Sequence, residues 1–292
     1  MRNSSIRDNL SSGYLPFTLT MNPPPAAPAS IRPRERRQRV QAAETGTAIL
    51  KALGSLGGRA SLTLIASHIG ESPAKVHRYL VSLMEGGLVN QDTSTQQYFL
   101  GLETLLLGLA AMRQADPIRM AEASLIRLRE ELEVTCFVAV MGNKGPTIVR
   151  FEEPGLPVTV NVRVGSVLPI LWSATGRALL AALNDREVSA IAQAELRAAT
   201  PAQRALLDAD EPIEVLRQAV RYAGCASVRD TNLPGISAVA APLYDYTGRP
   251  RAVLTALGAS GGFDPSPDGV VGQAVRREAQ AISQLLGYTA DS

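Results

Sequence analysis

Histidine is almost missing from this chain: among its 292 residues only His68 and His77 occur, both in the first third. Everything after His77 works without imidazole, which excludes His-based nucleophilic triads and most zinc sites from the larger part of the molecule. Cysteine is equally scarce. Cys136 and Cys225 stand far apart, form neither a disulfide framework nor a metal-ligand spacing, and fit a reducing compartment. No apolar run reaches the ~20 residues that cross a bilayer. The opening stretch MRNSSIRDNLSSGYLPFTLTM has one early arginine and an interrupted apolar patch, not the pattern of a signal peptide. A cytoplasmic location is expected. Asp and Glu are scattered with no paired-carboxylate motif, so the reading is non-enzymatic, with no cofactor and no metal.

What is present divides the chain. An apolar fraction of 46% supports a substantial core, and the length has room for two domains. Net charge is only +2, but it is unevenly placed: residues 1–39 hold seven arginines against Asp8 and Glu35. With MNPPPAAPAS and RPRERRQR in it, residues 1–40 read as a disordered basic, Pro-rich tail, either a solubilising segment or an arm for phosphates.

Helical periodicity begins near Gln41, where Ile49, Leu53 and Leu56 share a side and Gly57–Gly58 ends the run. A second helix follows Ser61, with Leu62, Ile65, Ala66 and Ile69 inward, and stops at Gly70. The third is SPAKVHRYLVSLMEGGLV. Ser72 is its N-cap, and Pro73 stands where a missing amide costs nothing. Val76, Leu80 and Leu83 make a buried stripe; Lys75, Arg78 and Ser82 make another roughly 130° around the axis. LVNQDTSTQQYFLG then reads as a two-stranded ribbon with its tip near Asp92–Thr95. Three helices and a ribbon over residues 41–101 predict a mainly α winged helix-turn-helix.

LETLLLGLAAMRQ, within residues 102–116, is a linker helix too apolar to stand alone; it predicts packing on a partner subunit or on the next domain. Residues 117–288 change character. A helix from Asp116–Pro117 is followed by the strand patterns VTCFVAVM, PTIVRF and PVTVNVRV, then by the Ser173-capped helix SATGRALLAAL. Short helices are expected over 185–195, 202–209 and 211–223. Two strands follow around the YTGR turn, and a last helix runs over 267–286, leaving 289–292 as a C-terminal tail. Strands with flanking helices but no strict βα repeat predict an α+β domain on an antiparallel sheet.

Four segments together resemble one family, the IclR-type bacterial transcriptional regulators: SPAKVHRYLVSLMEGGLV, QYFLG with the later Leu107–Gly108, LPILWSATGRALLAAL, and YAGCASV…GISAVAAPLYDYTGRPRAVLTALG. The resemblance covers about residues 42–288. It implies a GAF-like effector-binding C-terminal domain and operator binding as a homodimer or dimer of dimers. It also implies a small metabolite effector, an organic acid or aromatic compound, and control of a catabolic operon as repressor or activator. The chain departs from the family pattern at Phe99, in the tip DTSTQQ, which has no basic residue, and at Arg229 beside Asp230.

A winged helix places its third helix in a major groove. The DNA-binding candidates are Ser72, Ala74, Lys75, His77, Arg78 and Ser82. Arg78 is suited to guanine or phosphate, and Ala74 to a thymine methyl. His77 lies between the stripes, where packing and contact are both open. A two-fold dimer predicts a palindromic operator with half-sites about 34 Å apart or a multiple of it. For effector binding, the resemblance places Ala174, Thr175 and Thr255 on contact positions and Asp230 near an acidic one. Ala238 and Ala240 share one strand face. The free amides after Ser173 suit a carboxylate, so a mostly apolar pocket with one anion-friendly end is expected. Trp172 is either a core residue or a pocket neighbour, and both cysteines read as buried strand residues. The competing reading is an architectural or interaction protein with a degenerate DNA-binding domain, marked by DNA binding without sequence preference; an enzyme of unknown chemistry is the remaining one.

Overall fold

A computed structural model describes residues 40–155 and 162–289. The expectation for the tail over 1–39, and that for 290–292, lie outside the described residues.

Three helices form the N-terminal unit: Gln41–Ser55 (α1), Leu62–Ile69 (α2) and Pro73–Glu85 (α3). Ile49, Leu53, Ile65, Val76 and Leu80 are buried where the three meet, and Leu83 is partly buried beside them. Ser61 and Ser72 cap α2 and α3, accepting the amides of Leu64 at 3.3 Å and Lys75 at 3.4 Å. The ribbon has three strands where the pattern predicts two: Arg59–Ala60 (β1), Val89–Gln91 (β2) and Tyr98–Leu100 (β3), in the antiparallel order β1-β3-β2. A two-residue strand such as β1 is too short to leave a period in sequence.

The helix Leu102–Gln114 (α4) starts against the wing. Gly101 donates its amide to the Leu88 carbonyl at 2.8 Å, and Thr104 Oγ1 donates to the same oxygen at 2.7 Å. A Cβ on Gly101 would meet the carbonyl of Gly87, so only glycine permits this approach. Beyond that start, α4 buries no residue within the chain. Leu102, Leu105, Leu106, Leu107, Leu109 and Met112 are all exposed.

Asp116 caps Pro117–Leu132 (α5), which leads into Thr135–Gly142 (β4) and Gly145–Glu152 (β5). Ala174–Ala182 (α6), Arg186–Ala198 (α7), Pro201–Arg204 (α8) and Pro212–Ala223 (α9) follow. Ala226–Arg229 (β6), Ile236–Tyr244 (β7), Pro250–Ala259 (β8) and Val270–Leu285 (α10) complete the order. The sheet runs β5-β4-β8-β7-β6, antiparallel throughout. Its two faces separate by strict alternation. Cys136, Val138, Val239, Ala241, Leu254 and Ala256 face α5 and α10. Phe137, Ala139, Ala238, Ala240, Val253 and Leu257 face α6. A further cluster of Ile170, Leu171, Trp172, Leu180 and Val188 packs under α7, which makes Trp172 a core residue.

Three expectations need correction. The strand expected over 157–164 falls mostly on 156–161, outside the described residues; Val162–Val164 is not strand. The helix expected over 202–209 shrinks to α8 and a turn: Thr200 and Gln203 form a capping box at its start, and past Arg204 the chain leaves the helix with Leu207 packed on the cluster under α7. β6 was absent from the sequence reading; it is a four-residue edge strand paired to β7 alone. Both cysteines are buried, and burial pushes the Cys136 thiol up to about 12, with Arg129 opposing and Glu152 reinforcing. It is packing material, not a reactive thiol.

Candidate nucleic-acid interface and effector cavity

The outward face of α3 carries Ala74, His77, Arg78 and Ser82, all exposed, with Ser72 at its head. The core stripe Val76–Leu80 fixes the helix rotation, so this face is turned away from the protein by packing and not by its own chemistry. Arg78 forms no ion pair among the described residues. Lys75 differs: it is half-buried, and its Nζ lies 2.6 Å from Glu71, one turn back. His77 Nδ1 lies 3.3 Å from the hydroxyl of Tyr98, so the ring bridges α3 and β3 while remaining exposed.

The wing tip is closed by Asp92. One carboxylate oxygen accepts from the Ser94 amide (2.9 Å), the Ser94 hydroxyl (2.6 Å) and the Thr95 amide (3.1 Å). The other accepts from Arg59 at 2.8 Å, and the Arg59 guanidinium sits 5.0 Å from the ring centre of Phe99. These bonds, Ser94's foremost, hold the Asp92 carboxyl well below the usual range. Arg59 is therefore neutralised at the root of the wing.

In the second domain, Ser173 caps α6. Its Oγ accepts the Gly176 amide at 2.9 Å and donates to the Pro169 carbonyl at 2.6 Å. The turn before it is held from several sides. Glu195 on α7 accepts the amides of Ile170 (2.7 Å) and Leu171 (2.9 Å); Arg177 Nε donates to the Leu171 carbonyl (2.7 Å); Thr231 Oγ1 donates to that of Trp172 (2.6 Å). Burial lowers the Arg177 guanidinium to about 10. A Cβ on Gly176 would collide with Pro169 and Ile170, so the helix start can lie on this turn only with glycine there.

A cavity of about 40 Å³ opens at this helix start. Ser173, Ala174 and Thr175 form one end; Ala238, Thr255 and Leu257 form the sheet side. Thr175 and Thr255 hydroxyls meet at 2.9 Å, fully buried. The amides of Ala174 and Thr175 have no acceptor among the described residues. Ala240 lies on the same sheet face but in the core below the cavity. Asp230 is not in the lining: its carboxylate accepts from the Gly235 amide (2.8 Å) and the Ser260 hydroxyl (2.7 Å), clamping an exposed loop. Asn232 and Leu233 from that loop line the cavity instead, with Phe137 and Ile236. Sequence reading missed these four and Glu195. Nothing local marks them.

Residues 42–93 match the IclR helix-turn-helix domain, and residues 109–284 match the family described as bacterial transcriptional regulator IclR C-terminal. A helix-turn-helix unit joined to a ligand-sized α+β domain is the layout of a one-chain transcriptional regulator. The chain belongs to the IclR family of transcriptional regulators, a family of regulators and not of enzymes. It is 30% identical over 252 residues to the HTH-type transcriptional repressor AllR of Escherichia coli K12, covering 86% of this chain and 92% of that protein. The crystal structure of Pseudomonas aeruginosa HmgR is 40% identical, with TM-score 0.78, covering 86% of this chain and all of that one (100%). The Agobacterium tumefaciens repressor BlcR shares the fold at 18% identity and TM-score 0.71, over 86% of this chain and 99% of that one.

Proposed function

We propose that this regulator binds a palindromic operator as a homodimer through α3, and that a small organic acid at the start of α6 controls it. The observation that carries the DNA reading is the outward face of α3, where Arg78 stands exposed and, among the described residues, without an ion-pair partner while the core stripe holds the helix in place. The apolar, unburied α4 supports dimerisation, since six large side chains on one linker helix are costly to leave in water. AllR and BlcR are repressors, which supports repression as the sign of regulation here; control of a catabolic operon belongs to the same reading.

The effector end rests on the free amides of Ala174 and Thr175, facing a cavity with an apolar body and a threonine pair. Helix-start amides favour an anion. At about 40 Å³ the cavity takes a small aliphatic acid with little change. An aromatic acid requires the loop bearing Asn232 and Leu233 to move outward. For such a ligand to act as a switch, it must bind one dimer arrangement more tightly than another.

Two measurements test this. Arg78→Ala is expected to lose about 1–3 kcal/mol of preference for operator over scrambled duplex, with thermal stability unchanged; equal selectivity in variant and parent overturns the placement of α3. A thermal-shift screen of organic acids is expected to return hits abolished by Thr175→Val, each hit altering operator binding; hits insensitive to that substitution overturn the cavity assignment.

A further inference from the structure

A second cavity, of about 320 Å³, opens at the opposite end of α6. Its floor is apolar, built by Ala178 and Ala181 of α6, Val220 of α9 and Ala241 of β7. β6 pairs with β7 only as far as Ala240, so the outer edge of β7 beyond that point faces this space. The edge is already closed to a peptide strand. Pro242 has no amide to give, and the Tyr244 amide donates to Ser283 Oγ at 3.0 Å. A small molecule is the occupant that remains, and the volume falls in the range of roughly 300–1,000 Å³ typical of such sites.

The wall chemistry narrows the class. Arg221 donates Nε to the Ala181 carbonyl at 2.9 Å, which holds its guanidinium at the rim; its two terminal nitrogens have no acceptor among the described residues. Among the described residues no carboxylate side chain lines the cavity. Arg276 lies in the same wall, but it is already bonded to the carbonyls of Ala223 (3.0 Å) and Pro267 (2.9 Å) and to the Asp268 carboxylate (3.3 Å). Tyr244 and Tyr288 stack with ring centres 5.1 Å apart and offer a flat apolar surface. Burial raises the Tyr244 hydroxyl above its ordinary value, with Tyr288 adding to this and Arg221 opposing it, so the phenol stays neutral and donates no competing charge.

We propose that this cavity is a second ligand site, taking a flat apolar molecule with a single carboxylate, its ring on the alanine floor and its carboxylate on Arg221. It is separate from the effector cavity at Ser173 but is built on the same nine-residue helix. α6 spans only about 13 Å. A ligand at either end contacts this one helix.

2-Naphthoate is a suitable probe, with 2-naphthamide as its uncharged counterpart; binding to the full chain is read by calorimetry. Arg221→Met removes the guanidinium, and Ala182→Leu fills the cavity from α6 while leaving Arg221 in place. The expected result is 2-naphthoate binding weakened about tenfold or more by each substitution. The amide is expected to bind about tenfold more weakly than the acid and to ignore Arg221→Met. No 2-naphthoate binding to the parent protein at millimolar concentration overturns the proposal, as does binding that neither substitution weakens. Operator binding by the unliganded variants stays at the parent level, which keeps this result distinct from a failure of the regulator reading.

Discussion

Ser72 and Ser173 do the same local work, each closing a helix start by accepting the amide three residues on. Their helices nevertheless end up in opposite settings. α3 buries Val76 and Leu80 and leaves the remainder of its surface at least partly open, whereas α6 buries seven of its nine residues. The amides at the head of α3 open to solvent on the helix that carries the exposed Arg78, which suits a large anion approaching from outside. Those at the head of α6 open into a small enclosed space, which suits an anion that leaves water altogether. A helix start is a generic anion seat; the surroundings select between a polymer and a metabolite.

The sharpest way to break this comparison is at Gly176. Gly176→Ala forces a Cβ into the Pro169–Ile170 backbone, and a loss of about 3 kcal/mol is expected. Urea unfolding followed by tyrosine and tryptophan fluorescence measures it; a loss below 1 kcal/mol means the helix start is free to shift. Next come the caps themselves. Ser173→Ala is expected to cost about 2 kcal/mol, since the part-buried Pro169 carbonyl loses its donor as well, against about 1 kcal/mol for the exposed Ser72→Ala. Equal costs, measured by the same denaturation, remove the distinction between the two sites.

The smallest effect concerns Lys75, which is tied to Glu71 at 2.6 Å and so is not free for a phosphate. Glu71→Gln is expected to release it and tighten operator binding about threefold, with the salt dependence of binding steepened by close to one further ion. An unchanged salt slope means that Lys75 stays clear of the DNA.

Much of this was legible beforehand. The third-helix cap, its glycine exit, the Val76–Leu80 stripe, the apolar run that became α4 and the Ser173-capped helix all carry short-range signals: a side-chain oxygen before a helix, a period of 3.6, a Pro at the first helical position. The alternation in β7 and β8 likewise placed Ala238 and Ala240 on one face. Short edge pieces such as β1 and β6 carry no period of their own and were invisible.

By itself, then, the order of residues determined the longer helices and strands and which side of each faces a core, because those choices rest on neighbours within a few positions. Tertiary structure alone decided that Asp230 clamps a loop while Asn232 and Leu233 reach the cavity, and that Glu195 holds the turn beneath Ser173. These depend on which distant atoms come within about 3 Å of one another, and no local pattern encodes that distance.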